Sequence, residues 1–287
     1  MEILQKSENI TDVCYQVRFV GACLDHSQPF LVTEYCPRGS LQVCCDKNKA
    51  FIYTGPLLLQ DILEEDMNLD WNFKYSLIND IVKGLSFIHG SEIGFHGNLK
   101  SSNCVVDSRF VLKLTDFGLH GLRGNRPETW DFDDYDFCKT KLWTAPEILH
   151  SQNRFVLGTP KGDIFAFSII VHEIAERNGP WGTNVNQLEP QVIVKRVRDT
   201  GSFRPEVDRT SLHEELSSLL ERCWAEDPRE RPEIAVIRKG ITHILYGVIH
   251  DFLDFDWFMV VLTPMITGGW SRGSTRKTSL ATSWTTF

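Results

Sequence analysis

Apolar residues recur at helical spacing through 71–89, "WNFKYSLINDIVKGLSFIH". Phe73, Leu77, Ile78, Ile81, Leu85 and Ile88 fall on one face, which predicts a helix buried along that face. Upstream the period changes. Residues 16–23 ("QVRFVGAC") and 29–36 ("PFLVTEYC") are rich in β-branched and aromatic side chains, and "LDHSQ" between them turns the chain, so two strands are expected. Gly39 ends the second strand, and "PRGSL" leads into a short helix. Downstream, "CVVD" and "FVLKLTD" pattern as a hairpin, and 120–142 as an exposed loop carrying Glu128, Asp131, Asp133, Asp134 and Asp136. Helical spacing returns beyond Pro146, over 163–176, 189–199, 212–224 and 232–240. Two strands leading into a helix-rich body predict an α+β fold with a small β part and a large α part.

Two stretches break the pattern. "VCCDKNKAFIYTGPLLLQ" (43–60) has no clear period and contains a vicinal Cys44–Cys45 pair; without it, "GSLQ" joins "DILEEDMNLDW" as one amphipathic helix and a turn. It reads as an insertion, with flanks that fit an unspliced intron. After about Gly240 an aromatic-acidic run gives way to "SRGSTRKTSLATSWTTF", a polar composition that favours disorder. The organisation expected is a domain over 1–240 and an atypical tail over 241–287, disordered or foreign to the domain.

At 287 residues with 42% hydrophobic content, the chain can bury a sizeable core. A net charge of −8 and no stripe of Lys and Arg argue against a nucleic-acid partner. The eight cysteines (14, 23, 36, 44, 45, 104, 138 and 223) lack metal-ligand spacing and read as reduced, buried thiols. No stretch reads as membrane-spanning: "WFMVVLTPMITGGW" (257–270) is interrupted by Pro264 and two glycines, well short of roughly 20 apolar residues.

Chemistry concentrates in "GFHGNLKSSNCVVDSRFVLKLTDFGL" (94–119), followed by "APE" (145–147), "GDIFAFSII" and "CWAEDPRERP". The order HxNLKxxN, DFG, APE resembles the catalytic order of the eukaryotic protein kinases over roughly 15–42 and 61–240. More narrowly, "HGNLKSSNCVVDSRFVLKLTDFGL", "KTKLWTAPEIL" and "CWAEDPRERP" are similar to the kinase-homology domain of the receptor guanylate cyclases of natriuretic-peptide-receptor type.

That resemblance implies a two-lobed protein-kinase-like fold, here truncated at both ends, with an incomplete small lobe. Asn98 stands where a kinase has its proton-accepting Asp, and Gly97 where it has the Arg that answers a phosphorylated loop. An amide has no basic lone pair at neutral pH, so Asn98 can orient a hydroxyl but cannot take its proton. Asp116 and Asn103 stand at the Mg²⁺-ligand positions and Lys100 beside the phosphates; Asp116 and Asn103 would equally serve to fix the loop by hydrogen bonds. Thr33 is at the gatekeeper position, and Glu34 to Cys36 form the hinge facing an adenine ring. His96 and Phe117 are implied in the packed column between lobes, Asp163 as the anchor of the catalytic loop, and Glu147 with Arg231 as a buried ion pair.

The Gly-rich loop and the strand Lys of a kinase are absent from this sequence, and Glu2 is the only nearby candidate for the helix-C Glu. The resemblance therefore implies a regulatory pseudokinase module that controls a cyclase domain lying outside this chain. The resemblance implies ATP and Mg²⁺ as ligands of the intact parent rather than of this truncated chain. The implied partners are that cyclase domain and a second subunit in a homodimer at the cytosolic face of the plasma membrane. Two other expectations stay open: an atypical active kinase, and a non-enzymatic fragment competing for the dimer partner.

Overall fold

A computed structural model describes residues 15–23, 30–36, 69–118, 130–151, 158–182, 188–207 and 212–261. The insertion expected at 43–60, the helix after Gly39, Glu2, Glu128 and residues 262–287 lie outside them. The chain divides into two compact units, Met1–Leu245 and Tyr246–Phe287.

β1 (Phe19–Cys23) and β2 (Phe30–Thr33) pair antiparallel, with Phe19 opposite Thr33 and Cys23 opposite Phe30. Both strands lie within the expected ranges and are shorter. The segment before β1 is tied to the helical body: the Val17 N–H donates to the Leu114 carbonyl at 2.9 Å, and Gln16 Nε2 donates to the Gly84 carbonyl at 3.2 Å. Gly84 permits this approach, because a Cβ there would stand 2.8 Å from Leu114 Cδ1 and 3.1 Å from the Tyr15 carbonyl.

α1 (Trp71–Gly90) is the predicted amphipathic helix. Asp70 caps it by accepting from the Phe73 N–H at 2.8 Å, satisfying one of the donors a helix start leaves open. Leu77, Ile78, Ile81, Leu85 and Ile88 are all essentially fully buried. β3 (Cys104–Val106) and β4 (Leu112–Leu114) form the predicted hairpin, Cys104 facing Leu114 and Val106 facing Leu112. Asp107 shapes its turn by accepting from the Arg109 and Val111 N–H groups through one oxygen.

The segment 130–142 differs from the expected exposed loop. It contains a short helix, α2 (Tyr135–Thr140), capped by Asp134 and carrying the buried Cys138. Trp130, Phe132 and Phe137 meet edge-on with ring centroids 5.8–6.0 Å apart, a geometry that aromatic quadrupoles favour. α3 (Pro146–His150) follows. α4 (Pro160–Glu176) is buried nearly all round, which marks it as the central helix of the body; Thr159 caps its start and Arg177, left-handed at φ 56°, ends it. α5 (Pro190–Asp199) and α6 (Glu214–Cys223) are amphipathic surface helices.

α7 runs Ile234–Val261. Helix therefore continues past Gly240. Among the described residues no helix is long and apolar enough to cross a membrane.

Candidate functional site

The loop between α1 and β3 is fixed by a carboxylate from α4. Asp163, itself buried, accepts from the His96 N–H at 2.7 Å and the Gly97 N–H at 2.9 Å, and His89 Nε2 lies 2.9 Å from it. Gly97 is left-handed at φ 74°, and Gly158 packs against it so tightly that a Cβ at 158 would lie 2.5 Å from the Gly97 Cα. Gly97 and Gly158 are thus in backbone contact.

Asn98 is the centre of a hydrogen-bond network. Its side-chain amide donates to Asp116 Oδ2 at 2.8 Å, and its backbone carbonyl accepts from Asn103 Nδ2 at 2.7 Å. A carboxylate only accepts, so the amide nitrogen of Asn98 must be the atom that faces Asp116. Asn103 sits at the end of the 3₁₀ turn Ser101–Asn103, and the Thr115 N–H donates back to its carbonyl at 2.9 Å. Asp116 is left-handed at φ 65°, a conformation that persists only where surroundings enforce it. Phe117 meets the His96 ring edge-on at 6.1 Å. Lys100, half-buried, precedes the 3₁₀ turn.

The connection between β2 and the body carries Glu34, exposed Tyr35 and buried Cys36. Thr33, exposed, pairs with Phe19. Glu34 Oε1 accepts from the Arg18 N–H and from Lys113 Nζ, each at 2.8 Å. Burial pushes the Glu34 carboxyl up, but Lys113 and the Arg18 N–H outweigh it and hold its pKa below the ordinary value. Burial raises the Cys36 thiol.

Farther off, Arg231 is wholly enclosed. Its guanidinium forms a two-pronged pair with Glu147 at 2.7 and 2.8 Å and donates to the Ala225 and Lys161 carbonyls. This pins the start of α3 to the segment before α7.

Hydrogen bonds and the His96–Phe117 contact therefore join His96, Gly97, Asn98, Asn103, Asp116, Phe117 and Asp163 in one network, while Glu147 and Arg231 form a separate one. Three charged residues that pattern reasoning missed belong beside them. Lys113 is a lysine at the middle of an otherwise apolar strand. Asp80, raised to about 6 by burial against the opposing Leu112 N–H, supports β4. Glu173 is fully buried in α4, where Ser101 Oγ donates to one oxygen at 2.8 Å and Trp143 Nε1 to the other at 3.1 Å. A charged letter inside an apolar run, as in "LKL" and "IIVHEIAE", is the only sequence signal these residues give.

The negative charge of 131–136 is partly structural. Asp131 and Asp134 each accept from a backbone N–H two or three residues on, and Asp133 pairs with Lys195 at 2.6 Å.

Comparison with known proteins adds a family. The profile described as protein tyrosine and serine/threonine kinase matches residues 3–241. Atrial natriuretic peptide receptor 2 of Anguilla japonica is 48% identical over 261 residues, covering 86% of this chain and 23% of the receptor. The human receptor of the same name is 47% identical over 242 residues, 83% of this chain and 21% of the receptor. A receptor-type guanylate cyclase of Caenorhabditis elegans is 46% identical over 241 residues, 79% of this chain and 18% of the cyclase. The chain spans about a fifth of the length of these relatives.

Proposed function

The chain belongs to the protein tyrosine and serine/threonine kinase family, and we propose that it is a regulatory pseudokinase module of a receptor guanylate cyclase. The observation that carries this is Asn98, an amide at the proton-accepting position, hydrogen-bonded at 2.8 Å to Asp116. An amide bonded to a carboxylate accepts no proton from a substrate hydroxyl. Loss of general-base help slows transfer by about 10²–10⁴, or about 3–5 kcal/mol of barrier. Near-50% identity to receptor cyclases over most of the chain supports the second half of the proposal.

In this reading the residues bind and orient rather than react. The backbone of Glu34 to Cys36 faces an adenine ring, and Lys100 offsets phosphate charge. The carboxylate of Asp116 and the amide oxygen of Asn103 are hard donors that fit a Mg²⁺ ion, since the Asn103 nitrogen is committed to the Asn98 carbonyl. When bound, Mg²⁺ would neutralise phosphate charge. Asp163 then couples the loop carrying Asn98 to α4, so occupancy of the cleft bears on the body of the domain. In the longer protein the module biases the arrangement of two subunits, and a cyclase domain reads that arrangement as cyclic GMP output. Such a bias requires different ligand affinity in the two arrangements.

The test is phosphoryl transfer from γ-labelled ATP to the chain itself and to generic protein substrates. Incorporation no greater than that of Asp116→Ala is expected. Transfer that Asp116→Ala abolishes would make the chain a working kinase.

A further inference from the structure

The segment around α2 makes part of its own structure: Asp131 and Asp134 cap its turns, and the half-buried rings of Trp130, Phe132 and Phe137 pack on one another. Polar groups of α5 reach it from outside. Lys195 Nζ stands 2.6 Å from Asp133 Oδ1, and Gln191 Nε2 donates to the Asp133 carbonyl at 3.4 Å. The Arg198 guanidinium lies 4.3 Å over the Phe132 ring, oriented by two bonds to Asp199 at 2.6 and 3.0 Å. These fastenings are wet: Asp133 keeps 88% of its side chain in solvent and Lys195 keeps 41%. Exposed ion pairs hold weakly. Yet Cys138, in the same segment, is completely buried, its thiol donating to the Phe132 carbonyl at 3.4 Å. Lys195 and Arg198 both lie close enough to act on it, so the thiol sits at the junction with α5. The downstream end is anchored otherwise. Trp143 Nε1 donates to the buried Glu173 at 3.1 Å, and Trp181 Nε1 to the Leu142 carbonyl at 2.8 Å.

We propose that 130–140 is a strap that Lys195 and Arg198 of α5 hold closed over Cys138, and that it opens about its anchor at Leu142 and Trp143 while the body of the domain stays folded. A unit fastened by exposed charges opens at far lower cost than the core beside it. What opens it is an ionic competitor for α5: an anion that takes the Lys195 ammonium from Asp133. The proposal goes beyond the regulatory reading above and depends neither on nucleotide binding nor on the cyclase assignment.

The experiment is thiol labelling of the folded full chain with N-ethylmaleimide, read cysteine by cysteine by peptide mass spectrometry. Reagent is kept where the rate is proportional to its concentration, so that the rate follows the open population. Cys104 in β3 and Cys223 in α6 are fully buried and serve as internal controls for unfolding of the body. In the wild type Cys138 should label at least about tenfold faster than either. Lys195→Gln and Arg198→Gln should each speed Cys138 a further 2–5-fold or so and leave the controls unchanged, and Lys195→Arg should restore the wild-type rate. Cys138 labelling no faster than the controls overturns the proposal, as does a Cys138 rate that neither variant changes. Should the variants fail to fold, the wild type in salt decides, because screening weakens exposed pairs. A Cys138 rate that rises between about 0.05 and 0.5 M NaCl, with the controls steady, supports the strap. A rate that does not rise, or that rises equally at all three thiols, refutes it.

Discussion

Lys113 Nζ stands 2.8 Å from Glu34 Oε1, joining the strand that leads to Asp116 with the connection that leaves β2. Asp107 adds a second carboxylate 3.8 Å from the same ammonium. Lys113 is nearly buried, whereas Glu34 keeps about a quarter of its side chain in water. Removing the lysine strands two carboxylates, one of them partly solvated. Lys113→Met should cost about 3 kcal/mol, the lower end for breaking a buried pair. It should also speed hydrogen exchange at Glu34 and Tyr35. Denaturant midpoints at constant m together with exchange rates check both; a loss of stability with unchanged exchange would mean the pair does not hold the connection after β2.

Asp163 takes two backbone N–H groups into one buried carboxylate. Hydrogen bonds to charged groups contribute about 1.5–3 kcal/mol each, and the donors left behind would be buried. Asp163→Ala should therefore destabilise by about 3 kcal/mol or more and release protection at His96 and Gly97 before global unfolding. Asp163→Asn keeps one acceptor and should fall between. Amide exchange across 94–98 in the three proteins gives the order.

Arg231 has no exposed side-chain surface, but its partner Glu147 is about one-quarter exposed. The two truncations should consequently differ. Glu147→Gln leaves an enclosed guanidinium without its counter-charge, though still bonded to the Ala225 and Lys161 carbonyls, and should cost about 3–5 kcal/mol. Arg231→Met leaves Glu147 able to turn toward water but strips those carbonyls of their donors and loosens a packed contact with Phe165. The loss should be about 1–3 kcal/mol for each carbonyl left without a donor. Urea unfolding of both variants, with Arg231→Lys as the conservative control, measures the asymmetry.

Glu173 sets a pH dependence. Burial raises its pKa to about 8 against the opposing hydrogen bonds from Ser101 and Trp143. Between its ordinary value of 4.5 and about 8 the folded chain holds a proton that the unfolded chain releases. Stability from this group therefore falls as pH rises through that window. Glu173→Gln copies the neutral form. It should match the wild type near pH 5 and exceed it in melting temperature near pH 8. An unchanged difference between the two pH values would mean that Glu173 does not titrate in this way.

What could be read along the chain depended on whether its cause was local. The strands, α1 and the β3–β4 hairpin follow from apolar periodicity and turn residues a few positions apart. The helix within 130–142 does not. "WDFDDYDF" has no apolar period, and α2 stands on the Asp134 cap and on packing from distant cations, with Arg198 4.3 Å over the Phe132 ring. The continuation of α7 was hidden by acidic residues that broke the apparent period at 251–256. At the site, motif order could nominate Asn98, Asn103 and Asp116, because the motif itself encodes those positions. It could not nominate Lys113 or Glu173, whose partners Glu34 and Ser101 lie 79 and 72 residues away in the chain. Nor does motif order say that the Asn98 amide donates to Asp116.

The central claim, a switch rather than a catalyst, is tested most directly with this segment in place of the matching segment of a receptor guanylate cyclase. Cyclic GMP formation should be measured with an adenine nucleotide whose γ-phosphoryl cannot be transferred. The predicted result is that this analogue changes cyclase output as ATP does, and that Asp116→Ala weakens both responses alike. A response to ATP alone, lost with the analogue and accompanied by phosphate incorporation, would contradict the account.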